Sequence, residues 1–269
     1  MKKIFALLMA LTLSLGFVGC GDDTVTDETN APETQAVETE ATETDAPETA
    51  APETAAPETE AVEEAKTVMT HAEYIAAEMD TEVTVEAYVQ ATQSWWDNTI
   101  NVYAADADGA YYLYNLACSE EDAAKLIPGA KIKVTGFKGQ FEGEVEILDG
   151  TFEFVEGAEA YIAEALDVTA LLGTEELINH QNEFVSFKGI TVDAVEFKNG
   201  EPGDDVYLTV SKDGATYSFC LEVYLTGPDT EVYQTVSALT PGTVCDMEGF
   251  LYWYQGVNPH ITSVTVVEG

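Results

Sequence analysis

The chain contains no arginine and carries little positive charge of any kind. Its ten basic residues are all lysines, against 50 acidic residues, and the formal net charge is −40. The excess is not confined to one end, because residues 67–269 hold 35 Asp and Glu but only seven Lys. A surface of this sign repels phosphate backbones and anionic lipid headgroups. The composition therefore makes nucleic acid an unlikely partner and favours neutral or cationic ones.

Cysteine and histidine are scarce and scattered. No Cys-x-x-Cys pair and no Cys/His cluster occurs, so the sequence does not indicate a metal centre of the zinc-finger kind. We interpret Cys118, Cys220 and Cys245 as buried free thiols. A bridge between Cys220 and Cys245 stays open as an alternative, if their strands come close. The three histidines have no ligand spacing: His71, His180 and His260.

Recognisable catalytic motifs are also missing. Carboxylates are so frequent that no glycosidase pair can be singled out. No Ser or Cys lies in a nucleophile-elbow context. The acidic loop at 201–205 and the Asp106/Asp108 pair do not match an EF-hand, and solvated turns explain them better. We therefore predict a non-enzymatic protein without a metal or a cofactor.

The N-terminus has the pattern of an export signal. Two lysines precede an apolar run at 4–18, which is too short for a comfortable membrane span and ends at Gly19-Cys20. This junction resembles the lipobox of bacterial lipoproteins, although Phe17 stands where that family usually has Leu. The resemblance implies that residues 1–19 are removed and that Cys20 is lipidated, which anchors the protein at the extracellular face of the cell membrane. An ordinary cleaved signal is the alternative.

Residues 20–66 have the composition of a tether. Ala-Pro-Glu-Thr occurs four times, and 21–66 hold 15 acidic residues, one Lys and no aromatic residue. Such a segment cannot bury enough apolar surface to offset its chain entropy. We predict a disordered acidic linker that holds the folded part away from the membrane.

One stretch of the remaining chain occurs twice. Leu126–Gly143 and Leu239–Gly256 align without a gap, 113 residues apart. Each copy begins with Leu-x-Pro-Gly, continues with an alternating run to Gly-Phe, and ends with an aromatic residue two positions before a glycine. A fixed period of this kind indicates a tandem repeat of one β-rich unit.

Apolar alternation and turn residues predict the order β-β-β-α-β-β in each unit. In the first unit, strands are predicted at 99–105 and 144–154, and the helix is predicted to run to Ile127. In the second unit, the third strand is predicted to end at Tyr224. Further helices are predicted at 158–166 and after Thr174, and a bulge in the strand at 184–197 near Gly189. A helix between the third and fourth strands is the arrangement of the OB-fold, a five-stranded Greek-key barrel. The chain thus resembles a tandem pair of OB-fold domains, 67–157 and 158–269, in an all-β protein with short helices. As a whole it resembles lipoproteins secreted by Gram-positive bacteria.

The OB-fold resemblance implies where a ligand would bind, namely the face of strands two and three and the loops after strands one and four. Five aromatic residues are predicted in these loops and are candidates for stacking on a glycan or protein ligand: Trp95, Trp96, Phe141, Trp253 and Tyr254. In the alternative interpretation the rings close the barrel ends or form the interface between the units. For Tyr111, Tyr112 and Tyr114 we favour this alternative, since alternate residues on a strand point into a barrel.

These patterns together predict a membrane-anchored lipoprotein that presents two OB-type binding modules for glycan or protein ligands, without catalysis. A structural or assembly role in an envelope complex is the alternative. Single-stranded nucleic acid fits less well, because such binders combine stacking rings with a basic groove.

Overall fold

The computed structural model describes residues 66–267, which contain both predicted units. The predicted signal sequence, Cys20 and the tether up to residue 65 lie outside the described residues. The described part is β-rich with short helices and forms two OB-type barrels within one compact unit. No helix in the described part is long and apolar enough to cross a bilayer.

The first barrel closes through five strands in the order β1-β2-β3-β5-β4, with β4 pairing back to β1. The strands are β1 (Glu82–Thr92), β2 (Thr99–Ala105), β3 (Ala110–Ala117), β4 (Lys131–Phe141) and β5 (Glu144–Phe154). The helices are α1 (His71–Ala76), before the barrel, and α2 (Glu120–Ala123), between β3 and β4. The β3–β5 pairing is parallel and the others are antiparallel, which is the OB-fold topology.

Helix α1 packs against the core of this barrel. A capping box at Thr70 and Glu73 begins the helix, as the sequence predicts, and Tyr74 is buried with the strand residues. The ammonium of Lys138 on β4 donates to three carbonyls near the end of α1, at 2.7–3.0 Å. These bonds satisfy C-terminal carbonyls of the helix and fix it to the barrel.

The second barrel repeats the same strand order. Its elements are β6 (Leu166–Asp167), β7 (Phe184–Phe197), β8 (Val206–Lys212), β9 (Ala215–Leu221), α3 (Val223–Thr226), α4 (Glu231–Ser237), β10 (Val244–Phe250) and β11 (His260–Val266). The order β7-β8-β9-β11-β10 closes through a β10–β7 pairing, and β6 adds a short parallel strand beside β7. Two 3₁₀ helices, Thr169–Leu171 and Glu175–His180, precede the barrel.

The repeated Leu-x-Pro-Gly stretch has the same structural role in both barrels. Gly129 has φ +88° and its N–H donates to Val89 at 2.8 Å, while Gly242 has φ +89° and donates to Val192 at 2.8 Å. Glycine fits because residues with a Cβ disfavour this left-handed backbone. The motif therefore joins the fourth strand of each barrel to its first.

Several sequence predictions agree with these elements. The strands at 99–105, 144–154 and 184–197 have the predicted bounds. The pairing register of β7 with β10 shifts around Gly189, where the bulge was predicted. Cys118, Cys220 and Cys245 are free and buried, so the alternative of a Cys220–Cys245 bridge does not hold.

The helix predictions need correction. Residues 158–165 form no helix but an extended connection, because the amide of Gln90 bonds the backbone of both Tyr161 and Ala163. The helix predicted to run to Ile127 is only the single turn α2. The helix after Thr174 is a 3₁₀ helix, and the Thr174 hydroxyl donates to Leu171 instead of capping it.

Candidate functional site

The two barrels meet on the outer face of β2 and β3. Tyr103 and Tyr112 are paired across these strands and are both buried against the second barrel. The Tyr103 ring stacks on Phe250 with centroids 4.3 Å apart, and its hydroxyl lies 2.9 Å from Nδ1 of His260. Tyr112 packs edge-on against Tyr252. The second barrel thus covers part of the strand face on which OB barrels usually bind ligands.

This packing bears on the structural role predicted for the three strand tyrosines. Tyr111 does lie in the core of the first barrel. Tyr112 is buried at the interface between the units, in agreement with that role, whereas Tyr114 is exposed and departs from it. The alternation along β3 is regular, but its outward positions are also aromatic because a second barrel packs on part of that face.

The loops after the fourth strands form a second contact between the barrels. The rings of Phe141 and Tyr254 lie with centroids 6.1 Å apart, and Gln255 bonds both the carbonyl (2.7 Å) and the carboxylate (3.0 Å) of Glu142. These partners occupy equivalent positions in the two repeats, 113 residues apart. The repeated stretches therefore contact each other, as at a local two-fold axis, and Phe141 and Tyr254 remain partly exposed beside this contact.

Trp253 packs against the core of the second barrel. A Cβ added to Gly143 of the first barrel would lie 2.7 Å from Cδ1 of Trp253, so the ring fits against bare backbone. With Tyr217 and Ile178 it lines a largely apolar groove of about 420 Å³. The ring closes an end of the second barrel and touches the first.

The neighbouring tryptophans of the β1–β2 loop have different environments. Trp95 packs against the core of the first barrel, and its Nε1 donates to the Cys118 carbonyl at 2.9 Å. Trp96 is 78% exposed, although its backbone is held by reciprocal hydrogen bonds with Thr99. Trp95 is therefore part of the barrel end, whereas Trp96 is presented to solvent from a fixed turn.

Trp96 lies on a groove of about 390 Å³ that both barrels build, which we call the Trp96 groove. Its lining is Gln93, Ser94, Trp95, Trp96, Thr99, Ile100, Asn101, Asn115 and Tyr224. Tyr224 belongs to α3 of the second barrel and is 59% exposed. The N–H of Ser94 donates to the Tyr224 carbonyl at 2.8 Å, which ties the loop of one barrel to the helix of the other.

The polar side chains of the Trp96 groove are ordered by their own hydrogen bonds. Asn101 donates to the Gln93 side-chain oxygen at 2.6 Å and accepts from the Asn115 N–H at 2.7 Å. This bond orients the Gln93 amide with its oxygen toward Asn101, so the Gln93 amide nitrogen is left to donate to a ligand. The groove thus combines exposed rings with pre-oriented amides.

The Trp96 groove is electrically neutral. Its lining contains no Lys, His, Asp or Glu. Each of the eight lysines between residues 66 and 267 already contacts a carboxylate or a backbone carbonyl: Lys66, Lys125, Lys131, Lys133, Lys138, Lys188, Lys198 and Lys212. The groove therefore suits an uncharged ligand better than a polyanion.

Two carboxyl groups lie buried where the barrels meet. Glu144 and Glu146 on β5 are 0% and 4% exposed. Burial raises the pKa of Glu144 to about 8; the nearby Glu146 adds to the rise, while the Trp253 N–H and the Asn182 amide oppose it. Burial likewise raises the pKa of Glu146 to about 7. No cluster of three or more His, Cys, Asp or Glu that could hold a metal occurs in the part of the chain described.

The sequence did not identify several groove residues. Gln93, Asn101 and Asn115 are ordinary polar residues in a loop and at strand positions, and no pattern marks them. Tyr224 was predicted at the end of a strand of the second unit. Only the docking of the barrels brings it beside the β1–β2 loop, so no local signal could have placed it there.

No family model and no curated protein matches the chain. Among solved structures, it is similar to a tetrameric p202 HIN2 structure (12% identity, TM-score 0.31, 71% of this chain and 96% of that one). It is also similar to a p204 HINb domain (12%, TM-score 0.34, 71% and 100%). A murine DNA binding protein bound with ds DNA gives 11%, TM-score 0.34, 69% and 96%. Scores this low carry no argument about a ligand, and the OB-type assignment rests on the strand order itself.

Proposed function

We propose that this chain is a lipid-anchored, extracytoplasmic binding protein that takes an uncharged glycan in the Trp96 groove and catalyses no reaction on it. The observation that carries the proposal is the groove's construction. The exposed rings of Trp96 and Tyr224 come from different barrels and line a cleft whose polar groups are amides and hydroxyls.

A sugar ring has an apolar face and a rim of hydroxyls. Aromatic side chains supply large apolar contact surfaces, and a few oriented polar groups then set orientation and specificity. Trp96 and Tyr224 supply the first element, and the Gln93–Asn101–Asn115 arrangement supplies the second. The two exposed rings share one groove instead of standing singly, and contiguous exposed apolar surface is a sign of a binding site.

Single-stranded nucleic acid is another candidate ligand, because bases also stack on aromatic rings. It fits less well, since such binders track the phosphate backbone with a basic groove. The described lysines are engaged elsewhere, and none lines the Trp96 groove. Binding of this kind would weaken steeply with salt, whereas binding of a neutral glycan would not.

The anchoring part of the proposal rests on the lipobox-like sequence at Cys20. A Cys20→Ser variant should move from the membrane fraction to the soluble fraction of expressing cells, because the lipid attachment atom is gone. A variant that stays in the membrane fraction contradicts lipid anchoring without touching the glycan site.

The binding part is tested with a panel of neutral, acidic and basic glycans, followed by calorimetry on the best one. Trp96→Ala and Tyr224→Ala should each weaken binding by about tenfold or more, which corresponds to about 1.4 kcal/mol. Phe141→Ala is the matched control, because it removes an exposed ring outside the groove. Unchanged affinity in the first two variants, with folding intact, would refute the site.

A further inference from the structure

The buried carboxyl groups at the junction take no part in the Trp96 groove. Glu144 contacts the second barrel directly, since its Oε2 accepts the N–H of Trp253 at 2.8 Å. Its Oε1 is buried and has no hydrogen-bond partner among the described residues. The side-chain oxygen of Asn182, whose amide acts on the same carboxyl group, is also buried without a partner in that part of the chain.

A buried acceptor without a donor costs about 1–3 kcal/mol, and the cost is greater when the acceptor is ionised. A proton changes the balance, because a protonated carboxyl group is a donor as well as an acceptor. The geometry at Glu144 therefore favours the acid form. Burial of Glu146 on the same strand favours the acid form there too.

The other titratable groups that face this pair do not stabilise its charge. They are phenols from three elements of the first barrel and one loop of the second: Tyr74 of α1, Tyr103 of β2, Tyr112 of β3 and Tyr252. Beyond the effect of burial, Glu222 of the second barrel raises the pKa of Tyr103 and Tyr112, and it is a further carboxyl group at the junction. His260 bonds Tyr103, and burial lowers its pKa to about 4, so it is neutral near pH 7.

The pair lies within the segment that clasps the two barrels together. Besides the Trp253 bond to Glu144, Gln181 donates to the Gly143 carbonyl at 2.7 Å and Asn182 donates to the Val145 carbonyl at 3.1 Å. Two carboxylates in this closed space would repel each other and would each require water. Both costs, the repulsion and the loss of water, would fall if the second barrel moved away.

We propose that Glu144 and Glu146 form a proton-dependent latch between the barrels, which is closed while the pair is protonated and opens as the pH rises past neutrality. Since Tyr224 of the second barrel completes the Trp96 groove, opening would also dismantle that groove. Only this last consequence rests on the proposed glycan function.

The test follows the fluorescence of Trp253, which lies against Gly143 across the junction. The parent is the full chain with Trp96→Phe, so that the remaining signals come from Trp253 and the packed Trp95. Raising the pH from about 5.5 to about 9 should shift the emission to the red, with a midpoint between about 7 and 8. No ligand is needed, so the result is independent of glycan binding.

Glu144→Gln/Glu146→Gln keeps the size and the acceptor of the protonated groups and should abolish the shift. Glu142→Gln is the matched control, an exposed acid in the same clasp, and should retain it. If the double variant does not fold, Glu146→Gln alone should make the transition shallower, from about two protons released to about one. A parent without a shift, or substituted chains that shift like the parent, would overturn the latch.

Discussion

The outer face of the second and third strands has the same topology in both barrels, but it is buried in the first barrel and exposed in the second. In the first barrel, Tyr103 and Tyr112 point outward from β2 and β3 and are buried by the second barrel. In the second, the equivalent face of β8 and β9 carries Tyr207 and the cross-strand pair Thr209–Ser218, and it is open to solvent. The fold is therefore the same, and the outward-facing side chains decide which face becomes an interface.

The loops between the first two strands differ in the same manner. In the first barrel this loop presents Trp96 to the groove. In the second barrel it closes on itself, because Lys198 pairs with Asp205 at 2.9 Å and Asp205 also accepts the Val223 N–H. One copy of the loop carries an exposed ring, and the other stabilises its own barrel.

The largest expected difference in stability is between substitution of Glu144, a buried acid of the junction, and substitution of Glu142, an exposed one. A raised carboxyl pKa means that the folded state holds more protons than the unfolded state between about pH 4.5 and 8, so Glu144 lowers stability progressively across that window. Glu144→Gln should therefore match the wild type in stability near pH 4.5 and exceed it by about 3–5 kcal/mol at pH 8. Chemical denaturation at several pH values measures this, and Glu142→Gln should show no comparable gain.

The covered and open strand faces can be compared by one substitution on each. Tyr103→Ala removes a buried ring that stacks on Phe250 and bonds His260, so it should cost about 3–5 kcal/mol. Tyr207→Ala removes an exposed ring and should change stability by less than about 0.5 kcal/mol. Similar costs for both, measured by urea unfolding, would contradict the assignment of the first face as the interface.

The adjacent tryptophans of the β1–β2 loop separate structure from binding. Trp95→Ala should destabilise the protein by about 2–3 kcal/mol, because its ring packs on the core and its Nε1 holds Cys118. Trp96→Ala should leave the unfolding transition unchanged within about 0.5 kcal/mol. If Trp96→Ala unfolded the protein instead, its ring would be a packing element and could not be interpreted as a ligand contact.

The smallest expected difference in stability is between alanine variants of the two equivalent glycines of the Leu-x-Pro-Gly motif. Gly129→Ala and Gly242→Ala both force an alanine into a left-handed backbone, at a cost of about 1–2 kcal/mol. A Cβ at Gly129 would also lie 2.9 Å from the Ala160 Cβ, whereas a Cβ at Gly242 meets nothing within 4 Å. Gly129→Ala should therefore have the lower melting temperature. Equal melting temperatures would mean that the backbone at Ala160 shifts away from the added Cβ without a measurable cost.

The barrels could be predicted because their signals are local. Alternation defines β2, β5 and β7, and the repeated Leu-x-Pro-Gly marks equivalent turns. The helix predicted at 158–166 failed because its alanines and glutamates favour a helix in isolation, while Gln90 and the pairing of β6 with β7 hold the chain extended. Tertiary contacts outweighed propensity there.

The site could be predicted only in part. The loop was found from its tryptophans, but which of the adjacent rings points inward depends on the turn at Asp97 and Asn98, both with positive φ. Pairing Phe141 with Tyr254, or Tyr224 with the β1–β2 loop, depends on how the barrels dock. Those are contacts between residues more than 100 positions apart, and a single sequence contains no pattern that reports them.

The extended connection at 158–165, fixed to the first barrel by Gln90, sets the local concentration at which the barrels meet. A short tether keeps two partners at an effective concentration of about millimolar or above. Docking of the barrels is thus unimolecular. Because the effective concentration is high, the junction can be closed most of the time even though its buried acids weaken it. It should reopen and close reversibly at any protein concentration, and dilution should not separate the two halves.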